Sequence, residues 1–209
     1  MAFVHLLTRY SKSMSRYQTA LIYVAYKQCV TPASVAPMFG HFDPAKDLDD
    51  KVTTLICNCI RRGHLSPLEH VQLTFNIEDI SRVASHQLVR HRIASYSQQS
   101  QRYTEMEMSA WGLGNVHLPP KVWDWYDKHH EAARNLELAL DAYDQMIRDG
   151  VPSEDARYIL PEGTTSNIVV TMNLRSLLHF FNERLCSSAQ EEIRNIAGQM
   201  AELTRFRTH

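Results

Sequence analysis

The hydrophobic and polar positions of the chain follow two periods, which predict several helices and two strands. Apolar residues at helical spacing over residues 13–29 predict a first helix, which Thr31-Pro32 ends. Residues 31–46 contain three prolines and few charges, and this composition predicts an irregular segment. Helical spacing returns over Asp47–Arg62, and Gly63 is expected to end that helix.

A strand is predicted in the middle of the chain, after a polar loop over residues 64–70. Alternating apolar positions give this strand one buried face, which consists of Val71, Leu73, Phe75 and Ile77. Asp79 or Ser81 is expected to cap the next helix, which carries apolar residues as far as Val89. The polar run from Arg90 to Tyr103 then falls at the end of this helix and in the loop beyond it.

Helices dominate the second half of the predicted fold. A single long amphipathic helix is expected over Pro119–Arg148, and a short helix begins at Ser153. β-Branched residues predict a second strand over Thr164–Asn173, and helices fill the rest to about Arg205. The fold class is therefore predicted to be α+β: a helix-rich single domain over residues 1–209 with a small antiparallel sheet.

The composition excludes several classes of protein. The 209-residue chain has 22 Lys+Arg against 23 Asp+Glu, so its overall charge does not attract nucleic acid. The four cysteines form no CxxC pair, and the N-terminal residues lack the pattern of a signal peptide. The apolar runs are far shorter than the roughly 20 residues of a transmembrane helix. We therefore expect a cytoplasmic protein that binds neither nucleic acid nor a membrane.

The residues most suited to binding an anion lie between Arg90 and Tyr103, where three arginines and a histidine stand among serines, glutamines and tyrosines. Guanidinium groups bind phosphate in a bidentate manner and stack on planar rings. Gln87 and Arg90 share a helical face and Arg102 lies beyond the loop, so all three are candidates to hold one phosphate. The alternative is a solvated helix end with surface arginines.

Three arginines of the second half are candidates for the same chemistry. Arg157 is equally compatible with a local ion pair to the acidic residues just before it. On a helix that begins at Leu174, Arg175 and His179 share a face, whereas Arg184 lies about half a turn out of phase. Arg175 and Arg184 are therefore expected to serve two ligands, or sites shared between subunits.

The sequence lacks the common metal and dinucleotide motifs. His64, Glu69 and His70 lie on a loop interrupted by Pro67, without an HExxH motif or a cysteine pair, so no metal site is predicted. No GxGxxG loop and no GxxxxGK loop occurs, so a dinucleotide would have to be bound by side chains.

Several motifs occur in a fixed order. Arg90-His91-Arg92 is followed, after seven residues, by Ser100 and then by Arg102-Tyr103. Further motifs lie in residues 63–70, in residues 150–161 and in residues 173–191. In this order and spacing the chain resembles the flavin-dependent thymidylate synthases. The resemblance runs from about residue 20 to residue 195 and leaves out the segment over residues 31–46.

The resemblance implies an enzyme that reductively methylates deoxyuridine monophosphate (dUMP) to thymidylate with bound FAD, 5,10-methylenetetrahydrofolate and NADPH. It also implies a homotetramer with shared active sites. The implied FAD-binding residues are His64, Ser66, Arg90, His91, Arg92, Gln98, Asn173, Arg175 and His179. The implied dUMP-binding residues are Gln87, Arg90, Gln98, Gln99, Ser100, Gln101, Arg102, Arg157 and Arg184. Arg184 is the implied catalytic residue, because a guanidinium stabilises negative charge on the pyrimidine.

Two positions depart from the family pattern. Ser97-Gln98 stands where the family usually has asparagine-glutamate, and Gln101 stands where a small residue is frequent. An amide keeps the hydrogen-bonding reach of a carboxylate without its negative charge. Two other hypotheses are a catalytically impaired homologue that binds nucleotide or RNA, and a helical oligomerisation protein. The second of these does not explain the arginines between Arg90 and Tyr103, which we call the arginine run.

Overall fold

The computed structural model describes residues 1–8, 12–41, 43, 50–104 and 115–204. The strands are β1 (Phe3–Leu6), β2 (Gln72–Ser81), β3 (Ala94–Gln98) and β4 (Thr165–Asn173). The helices are α1 (Lys12–Val30), α2 (Ala36–His41), α3 (Asp50–Arg61), α4 (Arg82–Leu88), α5 (Pro120–Lys128), α6 (His130–Arg148), α7 (Ser153–Ala156), α8 (Leu174–Arg184) and α9 (Glu191–Thr204). Two 3-10 turns cover Ser66–His70 and Arg157–Ile159. The predicted helix-rich α+β class is therefore confirmed.

Within the described part of the chain, the strands form one antiparallel sheet in the order β1-β2-β4-β3. The two central strands, β2 and β4, are the longest. A bulge interrupts their pairing between Ile77 and Ile80, and there Asp79 adopts a left-handed conformation with φ of 55°. The small antiparallel sheet was predicted, and β3 at one edge carries part of the arginine run.

The main core lies between the sheet and the helices packed against it. The predicted strand face is confirmed, since Val71, Leu73, Phe75 and Ile77 are each at most 1% exposed. The same cluster includes residues of β4, α8 and α9: Ile168, Val170, Met172, Leu177, Phe180, Ile193 and Met200. None of the described helices is both long enough and apolar enough to cross a membrane.

A smaller apolar cluster lies around α6. Its buried residues are Val116, Leu136, Leu140, Tyr143 and Ala156. Next to it, the turn before β4 passes close to the backbone of residues 116–117. A Cβ atom at Gly163 would lie 2.7 Å from the carbonyl oxygen of His117 and 2.9 Å from Cγ1 of Val116. Glycine is therefore required at this position.

The predicted single helix over Pro119–Arg148 is wrong, because the chain breaks at His129 and forms α5 and α6. His129 has φ of −134° and ψ of 64°, outside the helical region. Its ring stacks on Trp125 with 4.5 Å between centroids, and its Nδ1 lies 2.8 Å from the Trp125 carbonyl oxygen. These two contacts hold the break in place.

Two predicted irregular segments also contain helical turns. α2 lies within the segment over residues 31–46, of which residues 42 and 44–46 lie outside the described part. The polar loop over residues 64–70 contains a 3-10 turn, which buries Pro67 and Leu68 against the core. Both segments contain proline, which starts helical turns as readily as it ends them.

The prediction of a loop within the Arg90–Tyr103 run is wrong, because Ala94–Gln98 form β3 and pair with β4. The strand has a period-two burial pattern, with Ser95 and Ser97 exposed between half-buried neighbours. Its half-buried residues include the polar Tyr96 and Gln98, so hydrophobic periodicity alone does not reveal the strand.

Candidate functional site

The arginine run begins at the end of α4, whose position is fixed by a buried cap. The Ser81 hydroxyl accepts a hydrogen bond from the Ala84 N–H at 3.0 Å, as one of the two predicted caps. The buried carboxylate of Glu192 in turn accepts hydrogen bonds from the Ser81 N–H at 2.8 Å and from its hydroxyl. With Leu88 in the core, Gln87 and Arg90 lie toward the outside of this helix end.

Tyr96 holds the end of α4 against β3. Its hydroxyl lies 2.8 Å from the Leu88 carbonyl oxygen and 2.9 Å from the His91 carbonyl oxygen, and one O–H is shared between these two acceptors. Burial raises the pKa of Tyr96 to about 12, while the positive charge of Arg92 acts in the opposite direction. The phenol therefore stays protonated and remains a donor at neutral pH.

The three residues Arg90-His91-Arg92 face in different directions. His91 is buried, with its Nε2 2.9 Å from the Ser176 carbonyl oxygen and its ring packed on Phe180 at 5.2 Å. Arg90 and Arg92 are exposed, and neither forms a hydrogen bond or ion pair with the described residues. The structure thus fixes the central histidine and leaves the guanidinium groups on either side free to bind an anion.

Gln98 lies at the end of β3 and connects three elements. Its Nε2 donates hydrogen bonds to the hydroxyl oxygens of Ser85 at 3.1 Å and Ser166 at 2.9 Å. The Ser85 hydroxyl itself donates to the Arg82 carbonyl oxygen at 3.0 Å, so its proton is already used. An amide at this position is therefore suited to its neighbours, whereas a carboxylate would face the lone pairs of Ser85.

Gln99 forms hydrogen bonds with Asn167 of β4 through both its backbone and its side chain. Its N–H donates to the Asn167 carbonyl oxygen at 2.8 Å, and its Oε1 accepts from the Asn167 N–H at 3.1 Å. Its side-chain oxygen extends the pairing of β3 with β4 beyond the strand end. The amide nitrogen of Gln99 makes no hydrogen bond with the described residues and is available for the implied dUMP contact.

Arg102 and Arg157 lie on either side of Glu154. The Arg102 guanidinium donates from Nε at 3.0 Å and from Nη2 at 2.8 Å to Glu154 Oε2, and this partner raises the pKa of Arg102. Arg157 Nε donates to the Glu154 backbone oxygen at 3.1 Å. The local ion pair considered for Arg157 is thus absent among the described residues, because the Glu154 carboxylate binds the more distant Arg102.

A pocket of about 250 Å³ lies beside this group. Its lining residues are Arg82, Gln101, Arg157, Tyr158, Leu160, Pro161 and Glu162. Arg82 was not among the predicted site residues. The one feature of the sequence that could have indicated Arg82 is its position directly after the cap residue Ser81. The start of α4 lies beside residues 157–162 there. The pocket joins predicted residues that are far apart in the sequence.

A second group of predicted residues lies where the 3-10 turn packs on α8. Arg175 Nη1 donates to Glu69 Oε1 at 2.6 Å, and Asn173 caps α8 by accepting from the Ser176 N–H at 2.8 Å. Ser66 is exposed at the start of the 3-10 turn. The His64 ring contacts Tyr26 edge to face at 5.4 Å. Glu69, considered as a metal ligand from the sequence, is instead an ion-pair partner here.

Arg184 is the last residue of α8. The helix is unbroken from Leu174 to Arg184, so Arg175 and Arg184 project about half a turn apart, as expected. Arg184 Nε is buried without a hydrogen-bond partner in the described structure. A buried donor without an acceptor costs roughly 1–3 kcal/mol. A ligand that supplies an acceptor there would recover this free energy.

The structure therefore collects the predicted residues in two groups rather than one. His91, Asn173, Arg175 and His179 lie on or against α8. Gln101 and Arg157 lie at the pocket beside α7, with Arg102 joined to them through Glu154.

Comparison with known proteins decides the family. The sequence model of the family described as thymidylate synthase complementing protein matches residues 12–207, nearly the whole chain. The chain belongs to this family. The match contains every predicted site residue, including the arginine run and α8, so the motif resemblance extends to the whole fold.

Relatives named flavin-dependent thymidylate synthase support the same assignment. The Geobacter sulfurreducens protein is 46% identical over 155 residues, which are 74% of this chain and 65% of the relative. The Saccharolobus solfataricus protein is 49% identical over 158 residues, 75% of this chain and 59% of the relative. The Nitratidesulfovibrio vulgaris protein is 40% identical over 192 residues, 89% of this chain and 77% of the relative. The chain thus matches about three fifths of the length of the first two relatives.

Proposed function

We propose that the protein is an FAD-dependent thymidylate synthase, which reductively methylates dUMP with 5,10-methylenetetrahydrofolate as one-carbon donor and NADPH as reductant. One observation carries the proposal: Arg90 and Arg92 lack protein partners among the described residues, although His91 between them is fixed in the core. Free guanidinium groups on a rigid support suit phosphate-bearing ligands. The relatives are named flavin-dependent thymidylate synthases, which supports a flavin and the formation of thymidylate. FAD, the folate donor and NADPH are what the motif resemblance implies.

The group around α8 fits a flavin dinucleotide. Two phosphates need cations, which Arg90, Arg92 and Arg175 supply, and the exposed ring of His179 offers a planar surface. The proposed FAD-binding residues are His64, Ser66, Arg90, His91, Arg92, Gln98, Asn173, Arg175 and His179. When bound, FAD would supply the hydride chemistry, while these residues bind and orient it.

The group around Glu154 fits the nucleotide. The pocket beside Gln101 and Arg157 is lined largely by polar and charged side chains and is open to solvent, and Arg102 adds a cation bound to the carboxylate of Glu154, whose backbone oxygen accepts from Arg157. The proposed dUMP-binding residues are Gln87, Arg90, Gln98, Gln99, Ser100, Gln101, Arg102, Arg157 and Arg184. A phosphate monoester would then compete with Glu154 for Arg102.

Arg184 is the proposed catalytic residue. Its buried Nε lacks an acceptor among the described residues, and a pyrimidine ring that gains negative charge would provide one. A guanidinium stays protonated throughout, so it stabilises this charge without giving up its proton. The side chain thereby acts on the reacting ring rather than on the phosphate.

We also propose that residues 1–209 act as one domain of a cytoplasmic homotetramer. Arg175 and Arg184 leave α8 about half a turn apart, so the FAD and dUMP sites proposed for them lie on different sides of this helix, and one site that combines both arginines would draw them from two chains. Ile93, Tyr103 and Tyr158 are 76%, 81% and 85% exposed next to the proposed site, which suits contact with another subunit. Light scattering of the purified protein measures the oligomeric state directly.

A product assay tests the function. The purified full chain, supplied with FAD, dUMP, 5,10-methylenetetrahydrofolate and NADPH, is expected to form thymidylate and to show flavin absorbance. Arg184→Ala is expected to lower kcat by about 10²–10³-fold and to retain FAD, since the lost interaction acts on the transition state. Arg148→Ala, at an exposed arginine of α6, is the matched control. Protein that binds dUMP but forms no thymidylate would instead support the impaired nucleotide-binding homologue.

A further inference from the structure

Three side chains with metal-ligating atoms converge at the surface of α8, among the described residues. One ligating atom from each of His91, His179 and Glu183 lies within 4.8 Å of the other two. His179 and Glu183 are four residues apart on α8, with Nε2 and Oε1 at 3.4 Å. The centroids of the two imidazole rings lie 5.3 Å apart, so both histidines are close to the same carboxylate.

The hydrogen bond of His91 fixes which of its nitrogens faces this point. Its Nε2 lies 2.9 Å from the Ser176 carbonyl oxygen, which can only accept, so Nε2 carries a proton. In neutral imidazole Nδ1 then has a free lone pair. His91 Nδ1 lies 3.8 Å from Glu183 Oε2, which is beyond the ~3.2 Å limit of a good hydrogen bond. Two electron-rich atoms therefore face each other, an arrangement that a cation between them would stabilise.

We propose that His91, His179 and Glu183 form a binding site for a divalent transition-metal ion of the zinc type. Two imidazoles and one carboxylate are a ligand set that zinc uses, with a fourth position left for water or another ligand. The Ser176 carbonyl is the outer partner that orients a ligating histidine. The His91 side chain is only 2% exposed, whereas those of His179 and Glu183 are 57% and 44% exposed, so an ion can enter from solvent.

Zinc binding at these three residues can be measured without the proposed flavin chemistry, although the two share residues. His91 and His179 are also proposed to contact FAD, so an ion and the cofactor would compete for these residues. Zinc binding by flavin-free protein does not require the protein to be an enzyme. A protein that binds zinc at these residues but never binds FAD would uphold the zinc site and contradict the proposed function.

Isothermal titration of ZnCl₂ into the full chain, after treatment with a chelator, tests the site. One zinc ion per chain is expected to bind, and His179→Ala and Glu183→Gln are each expected to weaken binding by about tenfold or more. Because both side chains are largely exposed, these variants are expected to keep the wild-type circular dichroism. His86→Ala, at an exposed histidine of α4, is expected to bind zinc with wild-type affinity.

Cobalt provides a second readout. Co²⁺ in place of zinc is expected to give the visible absorption of a low-coordinate site in wild-type protein and to lose it in Glu183→Gln. Added FAD is expected to weaken the zinc titration if both ligands use His91 and His179. The zinc site is overturned if wild-type protein does not bind zinc, or if both α8 variants bind it as tightly as wild type.

Discussion

The Arg102 guanidinium and the Glu154 carboxylate form a two-donor ion pair, in which Nε and Nη2 lie 3.0 Å and 2.8 Å from the same oxygen, Oε2. The two residues lie 52 positions apart in the sequence. Both side chains are 49% exposed, so solvent screens the pair and its contribution to stability is small. We expect its main effect to be on binding, because an internal carboxylate occupies a guanidinium that is proposed to bind dUMP.

Glu154→Gln is therefore expected to tighten dUMP binding several-fold, since Arg102 no longer shares its charge with an internal anion. The free energy of unfolding is expected to change by less than about 1 kcal/mol. Calorimetric titration with dUMP measures the first quantity and urea unfolding the second. Glu137→Gln removes an exposed carboxylate from α6 and is expected to leave dUMP binding unchanged. Weaker binding by Glu154→Gln would mean that Glu154 holds Arg102 in its productive orientation.

Gln98→Glu is expected to weaken dUMP binding by about tenfold, even though the family usually carries glutamate at this position. The Nε2 donor to Ser85 and Ser166 is lost, and the Ser85 proton is already used by the Arg82 carbonyl. A new negative charge also lies near the anionic ligands. The dUMP dissociation constant is the measurement, with Asn135→Asp on α6 as a control that adds the same charge elsewhere. A gain in affinity would show that the serines reorganise around a carboxylate.

The raised pKa of Tyr96 predicts that the contribution of its hydroxyl to stability depends on pH. Its pKa is about 12 in the folded protein against about 10 in an unfolded chain, so the folded state holds the proton more tightly. The contribution is complete below pH 10 and is lost as the pH rises toward 12. At pH 8 the free energy of unfolding of Tyr96→Phe, measured by urea unfolding, is expected to be about 1 kcal/mol lower than that of wild type, because a hydrogen bond is lost. The difference should shrink above pH 10, and a constant difference would contradict the assignment.

Gly163→Ala is expected to lower the free energy of unfolding by about 1–3 kcal/mol, because its Cβ would press on the His117 carbonyl at 2.7 Å. Gly198→Ala is the matched control. That glycine lies inside α9, and a Cβ added to it would meet no atom within 4 Å, so the same change is expected to stabilise by about 0.5–1 kcal/mol. Urea unfolding of the two variants measures both effects. Equal stability of the pair would contradict the tight packing at residue 163.

The elements that could be predicted from the sequence are those whose position is determined by the burial of apolar side chains. The alternation over residues 71–77 predicts β2 because every second residue enters the core, and Ser81 caps α4 through a contact three residues away. β3 could not be predicted in this way, because its half-buried residues include Tyr96 and Gln98. Its pairing depends on β4, which lies much later in the chain. The break at His129 depends on a side chain stacking on its own helix, which periodicity does not detect.

The same distinction applies to the site. Motif spacing brought together the arginine run and the α8 residues, and the structure does place His91 against His179. Each of the two groups contains an arginine that forms an ion pair with a glutamate: Arg102 with Glu154 and Arg175 with Glu69. Each of these ion pairs joins residues far apart in the sequence, so neither could be predicted without the fold.

The antiparallel pairing of β3 with β4 also determines when the proposed site can form. Ala94 pairs with Met172 and Gln98 with Ile168, so the arginine run gains its strand partner only after most of the chain has been synthesised. Until then β3 lacks its partner strand β4, and contacts of such long sequence separation form slowly. A ribosome-bound chain that ends before β4 would therefore carry the arginine run without the structure that positions it. Ligand binding at the proposed site is therefore expected only after β4 has been synthesised.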